Sequence, residues 1–291
     1  MEKDFRRITI VSITGLQSTA DGAMRSIIRS CQQMPGAKGM LICPERPDSA
    51  PAWLIHVPIQ PFGYLEYSIF TLYVLSHFIN TDFVLIVQDD GWVLDGKNWR
   101  SEFLDWDIIG APIHLARVNT PSSCTYYRGF DWEQFVGRQD TTIDFIYNGG
   151  FSLRSKKLLA APEKLGLALA IPPVSNMTGP MWKMQWKNDV INEDVQLCTV
   201  MRADLENYGI RFAPLHLARD FSIETAGLNL HENYDFGRLF GHHSNYRKIV
   251  SLDPYVVRYS IKKTQIKDIY GEGRMVDHFE SLGITIEWPS T

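Results

Sequence analysis

The four cysteines of this 291-residue chain, Cys31, Cys43, Cys124 and Cys198, form no CxxC pair and no short-spaced cluster with histidine. That excludes the usual zinc patterns and leaves reduced, structural thiols as the expectation. The chain also lacks an excess of either charge. Its formal net charge is −4 with acids and bases interspersed, so no polycationic face is on offer and nucleic acid is not an expected partner. Long apolar runs are missing too. The longest, Tyr67 to Ile79, falls short of the about 20 residues a membrane-spanning helix needs, so no transmembrane segment is expected. The N-terminal MEKDFRRITIVS has no cleavage-like site, which argues against a signal peptide and for a cytoplasmic location. Internal repeats, low-complexity stretches and a convincing domain boundary are equally absent.

What remains is an ordinary globular composition, 45% hydrophobic and 21% charged, with a generous 12% of aromatic residues that suits deep pockets or core filling alike. The β-branched run Ile8 to Ile13 ends at Thr14-Gly15, and Thr19 to Cys31 then carries apolar residues at helical spacing. That reads as strand, loop, helix. Gly39 to Cys43 and Ile55 to Ile59 read as further strands, Tyr67 to Phe78 as a buried helix, and Phe83 to Val87 as a strand without alternation, buried on both faces. Alternating β and α elements predict an α/β fold with a mostly parallel, covered central sheet.

The Phe83 to Val87 strand stops in Gln88-Asp89-Asp90-Gly91, beyond the carboxyl end where ligands of open α/β sheets bind. Two adjacent carboxylates at a buried strand end repel each other unless a cation intervenes, and oxygen ligands suit Mg²⁺ or Mn²⁺. Taken singly, the same residues also read as a turn before glycine. Asp107 to Ala111 reads as a short strand closed by Pro112, and Arg117 to Asp144 as a long polar excursion that covers the site. Asn148-Gly149-Gly150-Phe151 reads as a turn that brings backbone close to a ligand. A helix from Ser155 to Leu159 and a region of Pro, Met and Trp up to Lys187 follow. Asn192-Glu193-Asp194-Val195 opens a helix that runs to Tyr208 and stops at Gly209, with Asn192 as N-cap and two acids favoured by the helix dipole.

In order and spacing, these segments resemble the β1,3-glycosyltransferases of the galactosyltransferase and Fringe type. Those enzymes carry a DDD run, a GGYVLS-like segment and an EDV motif before a helix ending in LGI. The chain is more similar still to a bacterial and viral glycosyltransferase-like family with QDDGW, NGGFSLR, NEDV and late PFGxH motifs. The last appears here as Leu239-Phe240-Gly241-His242-His243, with Leu for Pro, and the resemblance covers roughly Phe83 to His243.

The resemblance implies a GT-A-like (Rossmann-like) fold with a smaller mixed-sheet part on the acceptor side. It implies a single domain over residues 1–291, with a nucleotide-sugar half (1–115), an acceptor and catalytic half (116–250) and a C-terminal extension (251–291). It further implies a metal-dependent, inverting transfer from a nucleotide sugar, a UDP-sugar first, to a saccharide or glycan-lipid acceptor.

Carried over by residue, Asp194 is the general base and Glu193 supports it or touches substrate. Asp90 and His243 hold Mn²⁺ or Mg²⁺, with His216, His231 and His242 as competing histidines. Gln88, Asp89, Asn148, Gly149 and Gly150 contact the donor, and Gln88 stands where the relatives have an acid. Thr14 and Gly15 cradle the nucleoside by analogy of fold alone. Two other classes stay open at this point: a catalytically silent nucleotide- or carbohydrate-binding module, and a metal-dependent phosphohydrolase.

Overall fold

Ile8–Ile13 forms β1, buried along its whole length, and the chain returns over it as α1 (Gln17–Gln33). The same alternation builds β2 (Lys38–Cys43), β3 (Ile55–Pro58), α2 (Tyr64–Tyr73) and β4 (Phe83–Val87). The computed structural model describes residues 5–171, 176–178 and 183–289, with 176–178 and 183–185 described through their backbone alone. Pro172, Pro173, Pro180, Met181 and Trp182 of the stretch before Lys187 lie outside the described residues.

After β4 come β5 (Gly91–Val93), β6 (Ile108–Thr120), β7 (Ser123–Tyr127), β8 (Thr142–Ser155), α3 (Lys156–Lys164), β9 (Asn176–Thr178) and β10 (Lys183–Gln185). The rest of the chain adds α4 (Glu193–Val195), α5 (Arg202–Asn207), α6 (Leu215–Phe221), β11 (Ser222–Ile223), α7 (Leu228–His231), β12 (Gly241–His243), β13 (Arg247–Leu252), β14 (Tyr255–Tyr259), α8 (Glu272–Ser281) and β15 (Thr285–Glu287).

Among the described residues seven strands form the central sheet in the order β3-β2-β1-β4-β8-β6-β7. The first four pair in parallel, and β8, β6 and β7 then alternate in direction. Strands β1 to β4 and β6 therefore run one way, which is the mostly parallel sheet the sequence implied. β4 shows why it carries no polar alternation: Leu85 and Val87 pack in one core with α1, while Val84 and Ile86 pack in another with Leu75 and Leu159. Both faces of the sheet are covered. Small mixed sheets, β11-β12-β5 and β13-β14-β15, surround a further core that holds Trp92, Val257 and Phe279, and β9 pairs with β10 in an antiparallel hairpin.

Four expectations need correction. Arg117 to Asp144 is a loop only in part: β6 continues past Pro112 to Thr120 and folds back as β7 in an edge hairpin, and turns with a 3₁₀ segment over Asp131–Phe135 fill 128–141 before β8. One face of that hairpin and the following turn bury Ala116, Val118 and Trp132 together; the polar residues that suggested a loop include those of an edge open to solvent. The Tyr67 to Phe78 helix begins at Tyr64 and becomes a 3₁₀ turn over Leu75–Phe78. The helix after Ser155 reaches Lys164, with the Ser155 hydroxyl capping Leu158. Finally, the helix opened by Asn192 is interrupted by a π-helical turn over Gln196–Val200 before α5. It does stop at Gly209, whose φ of +85° and bond to Glu206, with Ile210 bonding back to Leu205, close a Schellman motif.

Candidate active site

Two strand irregularities shape the site. Between the pairs Gly110↔Ser152 and Pro112↔Tyr147, β6 advances two residues and β8 five, so Asn148 to Phe151 bulge out of the ladder. Asn148 Oδ1 accepts from the amides of Gly150 at 2.7 Å and Phe151 at 3.0 Å and fixes the bulge. Asn148-Gly149-Gly150 is therefore a turn set inside the longest strand. From Pro112↔Tyr147 to Ala116↔Phe145, β6 advances four residues against two, which bulges Ile113, His114 and Leu115. Both bulges face one cavity of about 190 Å³. Bulges at such a place re-aim backbone and side chains that a regular ladder would hold in plane.

The glycine pair is demanded by close approach. A Cβ on Gly149 would stand 2.5 Å from Glu193 Oε1, and one on Gly150 would stand 2.3 Å from His243 Nε2 and 2.6 Å from Gln88 Oε1. Neither residue has a positive φ, so room for neighbouring side chains is what the absent side chains provide.

Asp194 sits in the first turn of α4. Its Oδ2 accepts from the Gly149 amide at 3.2 Å and its Oδ1 from the Val195 amide at 2.7 Å. Burial first, then the charge of Glu193, raise the Asp194 carboxyl far above the ordinary carboxylate range, against the Val195 amide and Arg154, which lower it. Glu193 itself is withdrawn from solvent: Arg154 of β8 donates to its Oε1 at 2.7 Å, with side-chain exposures of 0% and 3%. Asn192 takes the N-cap position without a capping side-chain bond.

On the opposite wall β5 pairs with β12, placing His243 across from Gly91 and so beside the Gln88-Asp89-Asp90 turn. Nε2 of His243 stands 3.1 Å from Asp90 Oδ1 and bonds Gln88 Oε1 at 3.1 Å, leaving Asp90 Oδ1 buried without a hydrogen bond. Nδ1 lies 3.6 Å from Glu224 Oε1 and 3.1 Å from the Asn148 amide nitrogen. Burial alone would lower this imidazole, but the carboxylates of Asp90 and Glu224 outweigh it and raise His243 to about 10. The donor Asn148 Nδ2 favours a bare Nδ1; the two carboxylates prevail. Burial would raise Asp90, and the charge of His243 with help from Lys248 holds it below its ordinary value.

The competing histidines stand elsewhere. His242 is buried edge-on against the rings of Trp92 and Phe279, His231 accepts from the Gly227 amide, and His216 lines a separate cavity.

A second cavity, of about 220 Å³, opens at the carboxyl end of β1. Ser12, Thr14, Gly15, Thr19, Phe62, Gln88 and Asp89 line it, and Tyr64, Tyr67 and Gln88 line both cavities. Gly15 lies so close to Phe62 that a Cβ would meet its carbonyl oxygen at 2.2 Å. Thr14 and Thr19 share a hydrogen bond of 2.6 Å between their hydroxyls. Lys248 reaches Asp89 Oδ2 at 2.6 Å from β13.

Apart from the competing histidines, the residues that the resemblance singled out line two adjoining cavities, with Asp90 next to them against His243. Sequence reasoning missed Tyr64, Tyr67, Glu224 and Lys248. Arg154 lay within the NGGFSLR segment, where an arginine among apolar strand residues was a signal of a buried partner.

Among the described residues no three His, Cys, Asp or Glu side chains converge as a metal cluster. The side chains that lie together as candidate donors are Asp90, His243 and the Gln88 amide oxygen. Adjacent ligands of a small divalent ion, bound at about 2.1 Å, stand about 3 Å apart. The two 3.1 Å separations from His243 Nε2 and the orphaned Asp90 oxygen match that requirement.

No curated protein matches the chain in sequence. Two solved structures of the galactosyltransferase LgtC, one in complex with donor and acceptor sugar analogs and one of an active-site mutant, superpose over 94% of this chain and 95% of theirs. Both have a TM-score of 0.45, at 12% and 13% identity, a level at which neither sequence nor superposition speaks to function. Among the described residues no helix is long and apolar enough to cross a membrane. Residues 68–243, well over half of the chain, match the family described as "protein of unknown function (DUF5672)", and the chain belongs to that family.

Proposed function

We propose that this chain is a metal-dependent, inverting glycosyltransferase that moves a sugar from a nucleotide sugar, a UDP-sugar first among candidates, to a saccharide or glycan-lipid acceptor. One observation carries the reading: a carboxyl group with a raised pKa, Asp194, lines the same cavity as Gln88 and His243, next to Asp90, and that cavity adjoins another at the end of β1. Acceptor, reacting carbon and nucleotide could lie across the two in that order.

Transfer forms a bond from an acceptor hydroxyl oxygen to the anomeric carbon as the bond from that carbon to the diphosphate oxygen breaks. The hydroxyl proton passes to Asp194, and the electron pair leaves with the diphosphate. The Gly149 and Val195 amides aim the Asp194 carboxyl, and burial raises its proton affinity, so that its ionised form is a stronger base than an exposed carboxylate. Glu193, fixed by Arg154, is a positioning residue in this reading rather than a second base. Asp90, His243 and the Gln88 carbonyl would hold Mn²⁺ or Mg²⁺, which when bound supplies charge neutralisation for the departing diphosphate. Glu224 backs the His243 ring from its other nitrogen, an arrangement that orients metal-binding imidazoles. Lys248 adds a cation next to Asp89 on the diphosphate side.

Thr14, Gly15 and Asp89 serve the nucleoside side, and Asn148, Gly149 and Gly150 the transferred sugar. Residues 1–115 then supply most of the donor side and 116–250 the base, with 251–291 a C-terminal extension behind Trp92.

The test is incubation of the purified chain with Mn²⁺, a panel of nucleotide sugars and saccharide acceptors, with products read by mass and by the NMR coupling of the new anomeric proton. A glycosylated product of inverted configuration is expected. Free sugar with untouched acceptor would point to a hydrolase, and bound but intact donor to a silent binding module.

A further inference from the structure

Tyr64 opens α2 directly after Gly63 and is 59% exposed, unusual for a tyrosine on the wall of two cavities. Its ring lies nearly parallel to that of Tyr67, centroids 6.1 Å apart at 22°. Tyr67 is buried, and its hydroxyl accepts from Gln88 Nε2 at 3.1 Å, so the ring that backs Tyr64 is held in place. A flat apolar surface is thereby presented at the junction of the donor cavity and the cavity of Asp194, on a helix that packs against α4.

Beside Ile113, Leu115 and Val195, much of the remaining lining of the Asp194 cavity is polar. His114, Asn148, Asp189, Asn192, Asp194 and Glu224 offer amides, carboxylates and an imidazole, the groups that hydrogen-bond hydroxyls. Among the described lining residues there is no lysine or arginine. The guanidinium behind Glu193 is Arg154, fully buried and committed to that carboxylate, and Arg128 is engaged by Asp189 at 2.8 Å. An anionic ligand would therefore face the carboxylates of Asp189, Asp194 and Glu224, and His243, the basic side chain on the described wall, is already engaged by Asp90 and Glu224, which disfavours such a ligand through repulsion and uncompensated desolvation.

We propose that Tyr64 is the platform on which an uncharged sugar ring of the acceptor stacks, and that this cavity selects against acceptors carrying a carboxylate, sulfate or phosphate on that ring. The proposal deepens the glycosyl-transfer reading and rests on it. The apolar face of a pyranose covers the Tyr64 ring while its hydroxyls bond the polar lining, the usual division of labour in a small-ligand site.

Matched probes that differ only in charge at one carbon test it: methyl glucoside against methyl glucuronide, and methyl galactoside against methyl galacturonide. Binding to the full chain with Mn²⁺ and UDP is followed by saturation-transfer NMR, for the parent, Tyr64→Ala and Tyr64→Phe, with thermal melts as a check on folding. At least one neutral member should bind about ten-fold or more tighter than its anionic twin, Tyr64→Ala should weaken it about ten-fold, and Tyr64→Phe should restore it, the scale on which an aromatic anchor contributes. Equal or tighter binding of the anionic sugars, an unaffected Tyr64→Ala, or binding of no neutral sugar overturns the proposal. The two readings fail separately. Transfer to an acceptor whose KM ignores Tyr64→Ala overturns the platform alone. Neutral sugar held at Tyr64, with no nucleotide sugar transferred or hydrolysed by the parent, overturns glycosyl transfer alone.

Discussion

Arg154 donates to Glu193 across 2.7 Å with both side chains closed off from solvent, one residue before the carboxyl of Asp194. Burying two charges is costly, and the pair persists because each is the other's compensation. Arg154→Met leaves the Glu193 charge buried and alone, with a loss of about 3–5 kcal/mol expected in chemical denaturation. Replacing both partners by apolar residues of similar size should recover most of it. A loss under about 1 kcal/mol for the single change, the range of exposed ion pairs, would mean that the two do not meet as described.

Asp194 sets the pH dependence, and the sign follows from the direction of its shift. Its carboxyl is raised in the folded chain above the ordinary value of about 3.9. A general base must be ionised, so kcat/KM should fall as pH drops through the raised value, with its acidic limb well above pH 4. The same shift acts on stability. Below about pH 4 the group is protonated whether folded or not and costs nothing; as pH rises through the folded pKa the unfolded chain ionises more readily and stability is lost. Asp194→Asn removes that loss, so its stability relative to the parent should improve between pH 4 and pH 8 in urea titrations. A relative stability independent of pH would show that Asp194 ionises normally.

Gly150→Ala places a methyl group 2.3 Å from His243 Nε2 and 2.6 Å from Gln88 Oε1. The imidazole must swing off Asp90 or the bulge must shift. Either way, Mn²⁺-dependent binding of UDP, measured by calorimetry, is expected to weaken about ten-fold or more, the effect of losing a well-placed metal ligand or its support. Asp90→Ala should remove the metal-dependent component outright. Unchanged metal-dependent affinity in both variants would refute the ligand set of Asp90 and His243.

Much of this was legible in the sequence where local chemistry decides the outcome. The unalternating Phe83-Val84-Leu85-Ile86-Val87 read as a strand covered on both faces and is one. Gly209 read as a helix stop and takes the positive φ that role requires. Legibility failed where long-range pairing decides. Nothing local reveals that Asn148 to Phe151 bulge inside β8, because the bulge exists only relative to the register of β6. The polar stretch from Arg117 to Asp144 looked like a loop because much of an edge hairpin faces water. In the site, Asp89, Asp90 and Asp194 sit in motifs with their own spacing. Glu224 and Lys248 come from segments with no motif at all and arrive through β11, β12 and β13. Tyr64 lies in no motif, and only the folded chain shows its ring on the wall of two cavities.

The central claim is that Asp194 takes the acceptor proton, and Asp194→Asn tests it most directly because the amide keeps nearly the same shape in the first turn of α4. Transfer is followed by nucleoside diphosphate release in the presence of acceptor, and donor affinity by calorimetry on the same preparation. The account predicts turnover reduced by about 10²-fold or more, the scale for loss of a general base, with nucleotide affinity essentially retained. Turnover within a few-fold of the parent would contradict it, and inactivation by Glu193→Gln alone would move the base to the neighbouring residue.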